Sequence, residues 1–283
     1  MNPTRTRTST EPPGGALAIT GSKGGVGKSN LALNLAVALG RWGRRVLLVD
    51  GDLGLANLDV LMGLVPDRTV EHLVRGEAGL DEVLAEGPEG VRVLPAASGV
   101  PNLARLDEAA RGRLLARLAE GAEMVDDVLV DTGAGLGDAT LARQLAASRV
   151  VVVTTPEPTS LVDAYASLKV LWNADRDKAV DLVVNAARDE EEADRAYEQI
   201  ARAASHFLGR APGRLGAVYR DPKVADAVRR QRPVLELYPD CPAARCYERI
   251  ATRLASTPVV AGRAADYWRH LMVPARAGEE LPH

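Results

Sequence analysis

The chain has 283 residues, with 35 Lys+Arg against 38 Asp+Glu and a formal net charge of -3. That length suits one large α/β domain or two small ones, and 46% hydrophobic residues exclude a chain disordered throughout. Aromatics at 4% and a near balance of charge argue against a base-stacking nucleic-acid reader and leave no basic footprint, so specific nucleic-acid binding is not expected. Cys241 and Cys246 are the only cysteines, too few for a disulfide framework and wrongly spaced for a CxxC metal motif, which sets the expectation of a reducing, cytoplasmic location. Uncharged stretches such as 29–40 are too short to span a bilayer, and Arg5 and Arg7 precede no apolar secretory core.

Residues 1–15 (MNPTRTRTSTEPPGG) are rich in Thr, Pro and Gly and read as a disordered tail. Short apolar runs then alternate with helical patterns. Strands are predicted at 16–20, 45–49, 91–94, 127–130, 150–154, 182–184 and 215–218. Helices are predicted at 28–41, 107–118, 138–145, 159–171, 190–207, 222–230 and 242–255. Runs that are apolar on successive residues, such as Val150–Val153, belong to strands buried on both faces. Their alternation with helices predicts a doubly wound α/β fold, a mostly parallel sheet with helices on both faces, over residues 16–257. Residues 258–283 form a looser tail with one short helix predicted at 264–273. Its Tyr267, Trp268, Leu271 and Met272 share one face, which can dock on the domain, enter a partner groove or lie on a membrane.

One detail of composition outweighs the totals. The chain carries thirty arginines and five lysines, yet Lys23 and Lys28 stand within six residues of each other. They belong to GSKGGVGKSN at 21–30, which follows the first strand and opens the first helix, the context of a phosphate-binding loop. Gly24, Gly25 and Gly27 allow backbone N–H groups to turn toward phosphate oxygens, and the helix presents its positive end to the same anion. The candidate nucleotide contacts are Gly24, Gly25, Val26, Gly27, Lys28, Ser29 and Asn30. Lys28 is expected to reach the β and γ phosphates of ATP and Ser29 to ligate Mg2+. The strict pattern has glycine where this chain has Ser22.

Carboxylates follow in the expected order. The second strand runs into Asp50-Gly51-Asp52, so Asp50 and Asp52 are predicted at the carboxyl edge of the sheet, where ligands of open α/β sheets bind. DDVLVDTGAGLG at 126–137 is an apolar strand ending in Asp131, the Walker B arrangement beside Mg2+, followed by Gly133, Gly135 and Gly137 in a switch loop. The cysteine pair has the wrong context for an iron–sulfur bridge between subunits, and the clustered Arg229, Arg230 and Arg232 read first as a solvated helix end rather than a DNA contact.

KGGVGKS at 23–29 resembles the deviant Walker A loop of the MinD/ParA family of P-loop ATPases, and DGDLGLANLDVLMG at 50–63 resembles the family's first switch, Asn57 and Asp59 included. The resemblance covers roughly residues 16–256. It implies ATP hydrolysis stimulated by a partner, with Lys23 crossing the interface of an ATP-sandwich homodimer to the partner subunit's phosphates. It further implies Asp52 as the residue that orients water, Asp50 as a supporting carboxylate near Mg2+, and Asn185 as the reader of the adenine amino edge. Asp221-Pro222 would begin the loop closing the adenine pocket, and Glu157 and Asp163 would lie on the dimer face. The arginine that usually follows the adenine-reading asparagine is absent, since Ala186 and Ala187 come next. Within the family, 131–137, 153–171, 182–193 and 233–244 look like the flagellar-number-regulator branch (FlhG, FleN, YlxH), although residues 1–15 lack that branch's DQAxxLR-like N-terminal motif. The implied role is control of flagellar number or placement, with flagellar assembly proteins or a flagellar transcription regulator as partners and reversible contact with the inner face of the cell membrane. The alternatives are a ParA-like partitioning ATPase and a MinD-like division-site regulator.

Overall fold

The computed structural model describes residues 15–51, 58–95, 106–135, 137–256 and 264–272. Its strands are β1 (Ala16–Thr20), β2 (Val46–Asp50), β3 (Ala85–Glu86), β4 (Arg92–Leu94), β5 (Asp127–Asp131), β6 (Arg149–Thr154), β7 (Val180–Ala187) and β8 (Gly213–Tyr219). They form one sheet in the order β3-β4-β2-β5-β1-β6-β7-β8, parallel throughout except for β3 on β4. The helices are α1 (Lys28–Arg41), α2 (Leu58–Met62), α3 (Val70–Arg75), α4 (Leu80–Val83), α5 (Glu108–Ala122), α6 (Asp138–Ala146), α7 (Pro158–Ala174), α8 (Glu190–Leu208), α9 (Pro222–Arg229), α10 (Val234–Leu237), α11 (Pro242–Ser256) and α12 (Ala264–Met272).

The pleat divides the core in two. Ala16, Ala18, Val128, Val130, Val150 and Val152 pack on one face with α5, α7, α8 and α12. Their neighbours Leu17, Ile19, Leu129, Val151 and Val153 pack on the other with α1, α9, α10 and α11. Burial on both faces is why these strands read as unbroken apolar runs rather than as alternation. The chain builds β2 and β4 to one side of β1, then places β5 and β6 on either flank of it, so the strand order reverses at β1. The crevice outside the carboxyl end of such a strand is where this architecture binds ligands.

Several boundaries differ from the sequence reading. The second strand starts at Val46, not Arg45, and includes Asp50. Arg45 is exposed, and its backbone N–H donates to Asp126 Oδ2 at 2.9 Å while its guanidinium pairs with the same carboxylate, so it ends the preceding turn. β4 starts at Arg92 rather than 91, β5 extends to Asp131, and β6 takes in Arg149. β7 is longer than 182–184 because Asp181, polar and 7% exposed, is neutralised by Arg149 of the adjacent strand. β8 likewise runs beyond 215–218 at both ends. The short elements α2, α3, α4, β3 and α10 have no counterpart in the sequence reading, since two to six residues are too few to show a period.

The tail helix α12 settles one open choice. Ala264, Ala265, Tyr267 and Trp268 are buried, and the helix packs on α5 and α6 with Arg269 paired to Glu123 just after α5. The apolar face is therefore part of the core.

Candidate functional site

The loop between β1 and α1 leaves the sheet at the point of strand-order reversal. Gly25 and Gly27 have φ of 80° and 93°, a region that L side chains enter only at a cost. Gly27 is also the residue before α1, and a Cβ there would stand 2.1 Å from Asn185 Nδ2, so neither its conformation nor its surroundings admit a side chain. This turn aims the first N–H groups of α1, which have no acceptor within the helix, across the mouth of the loop. Lys28, the first residue of α1, is buried, and its ammonium donates to Lys23 O at 3.3 Å, so the cation is folded back over the loop. Val26 before it is buried, and Ser29 and Asn30, in the same first turn of α1, are half-buried. Asn34, fully buried, anchors the helix by donating to Asn30 O at 2.8 Å and accepting from Leu235 N at 3.1 Å.

Asp50 and Asp131 are register partners at the carboxyl ends of β2 and β5, and Asp131 is also aligned with Ile19 of β1. They are 4% and 2% exposed. Gly51 N donates to Asp131 O at 2.8 Å, and Thr132 bonds Ile19 O through its N–H at 2.9 Å and its hydroxyl at 3.0 Å, which ties the three strand ends together. Asp50 Oδ2 accepts from Leu58 N at 3.1 Å, so this carboxylate also holds the start of α2. Two buried carboxylates on adjacent strands repel unless a cation stands near them, and a hydroxyl with carboxylate oxygens is a donor set suited to a hard divalent ion. Asp52 and Asn57 lie outside the described residues.

On the far side of the loop Asn185, at the end of β7, donates from Nδ2 to Val26 O at 2.7 Å. A cavity of about 420 Å³ opens beside it, lined in part by Asn185, Ala186, Arg220, Asp221, Pro222 and Tyr247. Its rim is set by Asp221, whose carboxylate accepts from Lys223 N at 2.9 Å and Ala243 N at 3.1 Å, capping α9 and α11 together. Partial burial would raise this carboxyl, but those two N–H groups, the Cys241 thiol and the Lys223 charge outweigh it and hold the group below the ordinary carboxylate range.

The start of the loop leans on α7. Ser22 donates to Asp163 O at 2.7 Å and hydrogen-bonds the Ser167 hydroxyl. Lys23 is exposed, and its ammonium lies 3.3 Å from Glu157 Oε2 just ahead of α7. The structure thus brings Lys28, Ser29, Asp50, Asp131 and the loop glycines to one strand-end crevice and sets Asn185 against it, while Lys23 stands at the outer edge with Glu157 and Asp163. The sequence reading missed the tie from Ser22 to α7 and the anchoring by Asn34. A serine where the pattern has glycine was the visible signal for the first; nothing local marked the second.

The family model described as the CobQ/CobB/MinD/ParA nucleotide binding domain matches residues 17–234, a span that takes in the loop and both carboxylates. The chain is 38% identical over 245 residues to the antiactivator FleN of Pseudomonas aeruginosa, covering 87% of this chain and 88% of that protein. It is 33% identical over 241 residues to the flagellum site-determining protein YlxH of Helicobacter pylori, covering 85% and 81%. The cell-division ATPase MinD of Pyrococcus furiosus aligns in structure with a TM-score of 0.67 at 26% identity, covering 85% of this chain and 98% of that one. The septum site-determining protein MinD of Pyrococcus horikoshii, solved with Mg-ADP, aligns with a TM-score of 0.66 at 25% identity, covering 85% and 96%. With the glycine-turned loop, its lysine and the two strand-end carboxylates, these likenesses show that the chain belongs to the CobQ/CobB/MinD/ParA family of nucleotide-binding domains.

Proposed function

We propose that this chain is an ATPase whose Mg-ATP-dependent dimer controls flagellar number or placement. The observation that carries this reading is the likeness, over most of each chain, to the antiactivator FleN and to a flagellum site-determining protein, joined to a glycine-turned loop with Lys28 beside the strand-end carboxylates Asp50 and Asp131. The loop N–H groups and Lys28 would hold the triphosphate, Ser29 with Asp131 and Asp50 would hold Mg2+, and Asn185 would read the base. Mg2+ neutralises charge that builds on the phosphates during transfer to water. Asp52 would orient that water. Lys23 is the residue for exchange between subunits: its pair with Glu157 is exposed on both sides and worth no more than about 1 kcal/mol, so leaving it costs little.

Closure of two subunits on ATP would create the surface read by flagellar assembly proteins or a flagellar regulator, and hydrolysis would dissolve it. No helix among the described residues is long and apolar enough to cross a membrane. The apolar face of α12 is committed to α5 and α6, so use of that helix on a membrane surface would require it to undock.

The test is a pull-down from the native host's lysate with ATP-loaded Asp52→Ala protein as bait and Lys28→Ala as the control that should bind no ATP. Recovery of flagellar basal-body proteins or flagellar regulators by the first bait alone is the expected result. Recovery of DNA with a partition protein, or of septum proteins, would keep the ATPase chemistry and reject the flagellar role. ATP turnover by Asp52→Ala at the wild-type rate would show that Asp52 has been given the wrong task.

A further inference from the structure

The cavity beside Asn185 is also lined by Arg220, a cation that neither the phosphate loop nor the strand-end carboxylates engage. Ala186, just after Asn185, has φ of 56°, one of only three non-glycine residues among those described with positive φ. Such strain persists where the surroundings enforce it, and it gathers at ligand sites. Here it accompanies a specific contact: Ala186 O accepts from Arg220 Nε at 3.0 Å, while Arg220 N donates to Ala187 O at 2.8 Å. Arg220, the residue after β8, is thereby clamped alongside position 186 of β7. Both residues line the cavity of about 420 Å³, together with Asn185 and the Pro222 ring. Arg220 is exposed, and among the described residues it makes no salt bridge. The cavity volume is in the range of small-molecule sites, and Asn185 ties it to the phosphate loop through Val26 O at 2.7 Å.

We propose that Arg220 is the residue that stacks on the purine ring of the bound nucleotide, delivered from β8 to the place beside Asn185 where the chain itself carries only alanine. This rests on the reading of the Gly21–Ser29 loop as the triphosphate site. A guanidinium is planar and weakly hydrated, so it stacks on a flat π system, which an ammonium on a flexible stem does not do equally well. The bond from Nε to Ala186 O fixes the plane of the group and leaves its terminal nitrogens for solvent. The Asp221 carboxylate cannot take this role, because it is spent on capping α9 and α11.

The experiment measures equilibrium binding of Mg-ATP and of inorganic tripolyphosphate to the full chain, as wild type and as Arg220→Ala, Arg220→Lys and Arg220→Trp. Base stacking of this kind is worth about tenfold or more in affinity. Arg220→Ala should weaken ATP by about that factor, raise the KM for ATP rather than lower kcat, and leave tripolyphosphate binding unchanged, which also reports that the variant is folded. Arg220→Trp, which supplies a stacking plane, should restore ATP affinity, and Arg220→Lys should not. ATP affinity of Arg220→Ala within twofold of wild type, full rescue by lysine, or equal weakening of both ligands would each overturn the proposal. Should wild type bind neither ligand, the phosphate-loop reading falls and this inference with it; tripolyphosphate binding with an indifferent Arg220→Ala rejects the inference alone.

Discussion

Substitution of Gly27 by alanine tests the join between the glycine-rich loop after β1 and Asn185 of β7. With φ at 93° and ψ at 22°, the position lies in the left-handed region, where an L side chain costs about 1–2 kcal/mol. The added Cβ would stand 2.1 Å from Asn185 Nδ2 and 3.3 Å from its Cγ, contacts that only rotation of the asparagine relieves. Rotation breaks the 2.7 Å bond from Nδ2 to Val26 O, a loss of about 1 kcal/mol. Gly27→Ala should therefore destabilise the fold by about 2–3 kcal/mol in denaturant titration, and it should weaken ATP binding because the loop loses its anchor on β7. The two contributions separate in a double-mutant cycle. Asn185→Ala removes both the clash and the bond, so adding Gly27→Ala to it should cost only the backbone part, with a coupling of about 1 kcal/mol. A Gly27→Ala protein within about 0.5 kcal/mol of wild type, or strictly additive mutations, would refute the claim that Gly27 is glycine for both reasons.

Two further predictions concern the frame around the site. Asp221 has a depressed carboxyl pKa in the folded chain, so its contribution is full above the unfolded value near pH 3.9 and is lost as pH falls through the lower folded value. The stability gap between wild type and Asp221→Asn should thus be open at neutral pH and close below about pH 3.9; a gap that widens in acid would contradict the double-cap assignment. At α12, Trp268 is 4% exposed, so Trp268→Ala should cost about 3–5 kcal/mol in thermal or urea unfolding. Trp268→Phe should cost much less, because the buried indole N–H has no hydrogen-bond partner among the described residues. Trp268→Ala with wild-type stability would mean that α12 is not part of the core.

The parts of this protein legible in its sequence are those that local chemistry forces. Val150–Val153 is apolar on successive residues because both faces of the sheet are covered, and that reads directly as a central parallel strand. The glycine pattern at 24–27 followed by Lys28 and Ser29 reads as a phosphate loop because tight turns, a cation and a helix start are all specified within ten residues. The identity of the family followed from these together with the aspartates that close β2 and β5.

Tertiary structure alone decided which distant residues meet. Asp50 and Asp131 become register neighbours only because β5 inserts between β2 and β1, and strand order leaves no trace in hydrophobic periodicity. Asn185 reaches Val26 across 159 positions, and Asp221 caps a second helix 22 positions on, both through closures that no local pattern encodes. The face of α12 is the plainest instance. Its Tyr267 and Trp268 spacing shows that one side must leave water, but period 3.6 is the same for a core, a groove and a membrane. The surface that receives it, made by α5 and α6, exists only once the sheet has folded.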